Sequence, residues 1–417
     1  MGKSSFTNKE KIINDPVYGF IKIPFDIIFD LIEHPWFQRL RRIRQLGLTH
    51  NVYPGANHTR FQHAIGAMHL MGQAIDVIRS KGHQITEEEA RAVTIAILLH
   101  DIGHGPFSHS LENSLIQDTS HEAISLMMME ELNQVYRGEI QLAIHIFRNE
   151  YPKQFLHQLV SSQLDMDRLD YLKRDSFFTG VTEGVIGSDR IIKMLNVRDD
   201  HLVVDEKGIY SIEKFLIARR LMYWQVYLHR TVVSSEQLLL RMLKRAHFLA
   251  KNGGRLFATP AMAFFLEEKE GKFEAGNKKI FLDHFAALDD IDILCSAKVW
   301  CGHSDKVLSM LARGLVNRRL FSVELDDEPF PVEMVISLRK QVSDHLSISL
   351  EEAGYLVVSD SISNYAYSDM DDRIGILGKD GNTRDIAQAS DMLNIAVLSK
   401  TVRKYFLCYP KFINELS

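Results

Sequence analysis

Cysteine is scarce in this chain: Cys295, Cys301 and Cys408 are the only three in 417 residues. So few, so unevenly spread, cannot build a disulfide framework, and they read as free side chains suited to a reducing compartment. Long apolar runs are missing too. No uncharged stretch is long enough to cross a bilayer, and the opening MGKSSFTNKEK lacks the apolar segment of a secretory signal, so the expected localisation is cytoplasmic, with no membrane partner. Phe6 stands where a myristoylation motif needs Ser or Thr, so the match to that motif fails. A basic excess is also absent: 49 Lys and Arg face 54 Asp and Glu, for a net charge of -5, so nucleic-acid binding is not indicated. A local basic pocket for phosphates is still compatible with that balance.

What is present is an ordinary globular composition, 46% hydrophobic, enough for a large core and two or three structural units. The expected fold is mainly α, with a small N-terminal hairpin (1–24), a helical body (25–253) and a C-terminal helical plus α+β region (254–417). In the body, apolar residues return at three- and four-residue steps. Thr86 and Glu89 form a capping box, and Ala90, Val93, Ile97 and Leu98 make the buried stripe of the helix that follows. The hairpin is expected near residues 18–23, and Lys251, Asn252, Gly253 and Gly254 form a joint. Beyond it, residues 288–320 read helical, and 320–325, 355–360, 373–377 and 405–409 read as short strands. Helices are expected over 333–345 and 386–397, with a turn at Lys379, Asp380, Gly381 and Asn382.

The strongest chemical signal is LLHDIGHGPFSH, residues 98–109. His100 and Asp101 offer one imidazole nitrogen and one carboxylate oxygen at a helix end, and the Gly-rich exit lets the backbone close around a cation. An isolated His-Asp pair carries no weight. With His63 upstream in HTRFQHAIG and Asp167 downstream in LDMDRLDYLKRD, it becomes a mixed nitrogen and oxygen set that leaves coordination positions open for water and a phosphate oxygen. Any one of these histidines alone is better read as a helix cap or a satisfied core group. His63, His100, His104, His109 and His121 in one short region are harder to place that way. No Cys pair lies nearby to suggest a closed structural zinc site, and Mn, Fe, Mg, Ni or Zn would suit a catalytic one.

Two helical stripes favour a phosphate-bearing ligand. Arg168, Tyr171 and Asp175 fall at i, i+3 and i+7; Arg219, Tyr223, Tyr227 and Arg230 fall at i, i+4, i+8 and i+11. Cations with aromatics between them suit a triphosphate flanked by a sugar or base. On spacing alone, a solvated or domain-facing surface is the commoner outcome of such a pattern.

The run of motifs IINDPVYGFIKIP, WFQRLRRIRQLG, YPGANHTRFQHAIG, HDIGHGPFSH, DMDRLDYLKRD and RRLMYWQVYLHR resembles the HD-domain phosphohydrolases and, within them, the deoxynucleoside triphosphate (dNTP) triphosphohydrolases. The resemblance covers roughly the first 230 residues. It implies a divalent metal on His63, His100, Asp101 and Asp167, with His104, His109 and His121 around the scissile phosphate and His109 protonating the leaving oxygen. Glu112 stands where a eukaryotic relative has Asp. Arg168 and Arg219 are then expected at the phosphates, Tyr171 and Asp175 at the sugar, Gln45 and Leu46 at the deoxyribose 3′ side, and Arg60, Tyr223 and Tyr227 among the other substrate contacts. Arg39, Arg41, Arg42 and Arg44 match a region where related enzymes bind activating nucleotides between subunits, although Glu33 replaces a guanine-reading Asp. A homo-oligomer is expected. Hydrolysis of a dNTP to deoxynucleoside and inorganic triphosphate is the leading reading. The alternatives are an HD phosphodiesterase or nucleotidase on another nucleotide, and a non-catalytic nucleotide-binding scaffold.

Overall fold

The computed structural model describes residues 11–107, 114–115, 119–267, 278–364, 367, 373–391 and 402–416. The hairpin pairs β1 (Ile12–Asp15) with β2 (Gly19–Lys22) in antiparallel register. Asp15 shapes its turn by accepting the amides of Val17 and Tyr18, and Gly19 completes it at φ 74°. The body that follows contains α1 (Asp26–Glu33), α2 (Arg60–Ser80), α3 (Glu87–Leu99), α4 (His121–Val135), α5 (Met166–Thr179), α6 (Ile209–Met222) and α7 (Arg230–Lys251).

Helix α2 lies at the centre, packed between α3 and α5. Ala64, Ile65, Ala67, Met68, Leu70 and Met71 bury nearly every face of it, as a core helix requires. Gly66 allows α5 to come close: a Cβ there would stand 2.0 Å from Asp170 Oδ1. Helix α3 begins as its capping box predicts and delivers His100 and Asp101 directly after its last turn.

Glu89, in that box, accepts from the Thr86 amide at 2.8 Å, the Tyr151 hydroxyl at 2.7 Å and Lys153 Nζ at 2.8 Å. Burial alone would push this carboxyl up, but Lys153, the Thr86 amide and Tyr151 together hold it below the ordinary carboxylate range. The stabilisation it brings is therefore present at neutral pH and lost as pH falls through that range. Glu89→Gln is expected to lower unfolding free energy by about 2 kcal/mol at pH 7. In urea titrations the deficit should shrink as the pH is brought below about 4.

Beyond the joint come α8 (Lys278–Ala287), α9 (Asp290–Trp300), α10 (Lys306–Val316) and α11 (Val332–Leu346). The helical reading of 288–320 is thus two helices, interrupted where Asp305 caps α10 by accepting the Leu308 amide. Three strands build an antiparallel sheet in the order β5 (Ser322–Asp326), β9 (Val402–Tyr409), β6 (Val358–Asn364). The expected turn at Lys379 to Asn382 joins β7 (Gly375–Leu377) to β8 (Thr383–Asp385), with Gly381 at φ 80°. The helix expected over 386–397 covers Ile386–Ala389; residues 392–397 lie outside the described ones.

The body also holds strands where only helix was expected. β3 (Leu195–Arg198) and β4 (His201–Asp205) form a hairpin whose turn residues Asp199 and Asp200 take φ 51° and 59°. β7 pairs with β4 in parallel, so the C-terminal strands extend a sheet begun in the body, in the order β3-β4-β7-β8. Among the described residues no helix is long and apolar enough to cross a membrane.

Candidate metal centre and substrate cleft

Three elements converge on one point. α2 supplies His63, the end of α3 supplies His100 and Asp101, and the first turn of α5 supplies Asp167. His63 Nε2 lies 3.0 Å from Asp167 Oδ1, 3.4 Å from His100 Nε2 and 3.7 Å from Asp101 Oδ2. His100 Nε2 lies 3.3 Å from Asp101 Oδ1 and 3.5 Å from Asp167 Oδ1. Neighbouring ligands about 2.1 Å from a common ion sit about 3 Å apart, so these separations suit a small divalent cation with slight adjustment.

The far sides of the two rings sharpen the fit. His63 Nδ1 donates to Asp170 Oδ2 at 2.8 Å, and His100 Nδ1 donates to the Ile97 carbonyl at 2.6 Å. With Nδ1 carrying the proton in both, both Nε2 lone pairs face the convergence point, the arrangement of metal-ligating histidines. The charge balance also calls for a cation. Without a cation the carboxylates hold a second proton on His63 instead: burial disfavours a charged ring, yet Asp167 and Asp170 outweigh it and raise its pKa to about 10. Asp101 is held well below the carboxylate range: burial opposes this, and His100, His104 and Arg60 prevail.

His100, Asp101 and Asp167 form one wall of a cleft of about 680 Å3, with His63 buried behind them. Gln45, Leu46, Arg60, His104, Phe107, His121, Arg168, Tyr171, Asp175, Tyr223 and Tyr227 line it as well. Arg60 Nη1 donates to Asp101 Oδ2 at 2.6 Å, which ties this arginine to the His and carboxylate cluster. The His104 and His121 rings lie 3.9 Å apart, and His104 Nδ1 is 3.3 Å from Asp101 Oδ1. His109 and Glu112 lie outside the described residues. Arg168, Tyr171 and Asp175 of α5 all lie on the cleft.

The second stripe does not form one regular face. After α6, residues Tyr223–Tyr227 form a π-helical turn, in which the Leu228 amide donates to the Tyr223 carbonyl at 2.7 Å. His229 then caps a new helix that begins at Arg230. The extra residue per turn brings Tyr223 and Tyr227 together on the cleft, their ring centroids 5.1 Å apart, and leaves Arg230 exposed and off it. Arg219 is buried and not on the cleft lining; its Nη1 donates to Gln163 Oε1 at 3.1 Å.

Of the basic run, Arg39 is fully buried and Arg42 pairs with Asp289. Arg41 rests over the Phe61 ring at 3.5 Å and donates to Gln38.

Several supporting residues escaped the sequence reading. Asp170 holds His63 on one side and the buried Arg174 on the other, and Arg174 Nη1 reaches Asp15 Oδ2 at 2.8 Å. His58, fully buried, contacts Asp175 Oδ1 at 2.7 Å, while the Tyr227 hydroxyl donates to Asp175 Oδ2 at 2.7 Å. Asp165 caps α5, and burial raises its pKa to about 6. One signal was available: LDMDRLDYLKRD carries charge on every face of its helix, and a helix buried between neighbours cannot solvate all of them.

A buried His and carboxylate centre at the end of one helix, opening into a cleft of this size, defines a metal-dependent hydrolase class. The HD domain model matches residues 60–175, and the HD associated region model matches residues 186–253. The chain is 33% identical to Bacillus subtilis YwfO over 97% of its own length and 93% of that protein. A phosphohydrolase from Bacteroides thetaiotaomicron, known as a crystal structure, is 58% identical with a TM-score of 0.92, over 96% of this chain and 99% of that one. The Dictyostelium discoideum deoxynucleoside triphosphate triphosphohydrolase SAMHD1 homolog is 35% identical over 56% of this chain and 48% of that protein, so the chain spans about half the length of this relative. The chain belongs to the HD-domain phosphohydrolase superfamily.

Proposed function

We propose that this protein hydrolyses deoxynucleoside triphosphates to deoxynucleoside and inorganic triphosphate. The observation that carries the reading is the continuity of one cleft, about 680 Å3, from the His63, His100, Asp101 and Asp167 centre to the wall of Arg168, Tyr171, Asp175, Tyr223 and Tyr227. That volume suits a nucleotide. The likeness to triphosphohydrolases from Dictyostelium discoideum and Danio rerio supports the substrate class.

A divalent cation at the centre would supply Lewis acidity, easing deprotonation of water at neutral pH and offsetting phosphate charge. The chain's own residues supply the rest. Arg168, whose Nε donates to the Ser162 carbonyl at 2.6 Å, is fixed at the cleft and neutralises phosphate charge. Asp175, held from behind by His58 and Tyr227, accepts from a sugar hydroxyl. Gln45 Oε1, buried with no hydrogen-bond partner among the described residues, is a second acceptor that a sugar hydroxyl would satisfy. Water attacks the α-phosphorus, the bond to the 5′ oxygen breaks, and His109 donates the proton that oxygen needs, with His104 and His121 beside the reacting group.

Purified protein incubated with each dNTP and Mn2+ or Mg2+ is expected to release deoxynucleoside and triphosphate in equal amounts on ion-exchange chromatography. Nucleotide with pyrophosphate or orthophosphate would overturn the reading in favour of another phosphohydrolase activity.

A further inference from the structure

The loop that leaves the HD pair, residues 102–107, carries His104 and Phe107 into the cleft, and its first half is tied to α4, where the Gly103 amide donates to Ser125 Oγ at 2.9 Å. Two further ties link it to the region beyond Gly254. Arg39 is 0% exposed and uses both arms of its guanidinium on main-chain carbonyls. Nη2 donates to Ile102 at 2.9 Å and His104 at 2.8 Å; Nη1 donates to Phe285 at 3.2 Å and Leu288 at 3.0 Å. The guanidinium also stacks on the Phe285 ring, 4.7 Å from its centroid. One rigid fork thus ties the HD loop to the end of α8.

Asp290, at the start of α9, makes a parallel tie. Its Oδ1 accepts the Phe107 amide at 3.3 Å and its Oδ2 accepts the Arg44 amide at 3.0 Å. Phe107 adopts φ 51°, a left-handed conformation that a bulky L-residue avoids unless its surroundings impose it. The bond from Asp290 is one such constraint, applied at the strained residue itself.

We propose that the joint between α8 and α9, which lies outside both matched family regions, belongs to the active-site apparatus, and that Arg39 and Asp290 are positioning residues that set the His104 to Phe107 loop. Neither reaches the cleft lining; each acts through the backbone that carries His104 and Phe107. The region beyond Gly254 thereby completes the catalytic body. The proposal needs only the hydrolase class of the centre, so it stands or falls independently of the deoxynucleotide reading.

Its test compares Arg39→Lys and Asp290→Ala with Trp300→Phe. The last removes a buried hydrogen bond, from Nε1 to the Phe257 carbonyl, at the far end of α9 and so serves as a structural control. A lysine keeps the charge but cannot bridge both carbonyl pairs. Amide exchange read by mass spectrometry is expected to quicken about tenfold or more in peptides spanning 102–107 for the first two variants, and not for Trp300→Phe. With dATP and bis(4-nitrophenyl) phosphate as probes, kcat should fall on the order of 10- to 100-fold while KM and metal content stay near the parent's. Unchanged exchange in 102–107, or an equal fall in kcat for Trp300→Phe, would overturn it.

Discussion

His63→Ala is expected to lose both the bound cation and turnover. The ring is 0% exposed, and its Nε2 lies within 3.7 Å of Asp101, His100 and Asp167, so no other side chain can take its place without moving a core helix. The remaining donors, His100, Asp101 and Asp167, are then one nitrogen ligand short. Several kcal/mol of charge stabilisation disappear with the cation, which corresponds to about a thousandfold or more in rate. Alanine favours helix, so α2 itself should persist. Atomic emission of dialysed protein, circular dichroism and dNTP turnover read the three consequences separately. Full metal content with undiminished turnover would place the centre elsewhere. Lost turnover with an unchanged oligomeric state would set catalysis apart from any scaffolding role.

The donors were legible because each sits where local sequence rules are strong. Thr86 and Glu89 start α3, Gly103 and Gly105 end the run after it, and the phase between them puts His100 and Asp101 at the helix end. Arg168, Tyr171 and Asp175 were legible for the same reason, because α5 is regular from Met166 to Thr179. The stripe at Arg219, Tyr223, Tyr227 and Arg230 failed because spacing arguments assume 3.6 residues per turn. A π-helical turn inserts a residue that leaves no local mark in the sequence.

Long-range supports were illegible for a different reason. Arg39 reads as one of four arginines on a surface stretch, and nothing near it announces four carbonyl partners, two of them about 246 to 249 positions away. Asp290 looks like a helix-start acid, which it also is; its second task, holding the amides of Arg44 and Phe107, depends on tertiary approach alone. The β3 and β4 hairpin was within reach. The two aspartates at its turn, flanked by Val197 and Leu202, fit a turn that needs positive φ, but the helical periodicity around them dominated the reading.

Asp170→Ala is expected to damage both stability and metal affinity, and by separable routes. Asp170 is 0% exposed, and it accepts from His63 Nδ1 at 2.8 Å and from Arg174 Nε and Nη2 at 2.9 and 3.0 Å. Its pKa is lowered: burial resists ionisation, and Arg174 and His63 overcome it. Removing the carboxylate leaves Arg174 buried with Asp15 as its remaining acidic partner, at a cost of about 3–5 kcal/mol. The second route runs through His63. Without an acceptor at Nδ1 its ring loses the bond that keeps the proton away from Nε2, and metal affinity should fall by about 10- to 100-fold. Asp170→Asn separates the two, because its amide oxygen can still accept from His63 while the charge that balances Arg174 is gone. It should unfold at lower denaturant than the parent yet keep most of its metal affinity in equilibrium dialysis. A parent-like affinity in the alanine variant would mean that the His63 tautomer is set without Asp170.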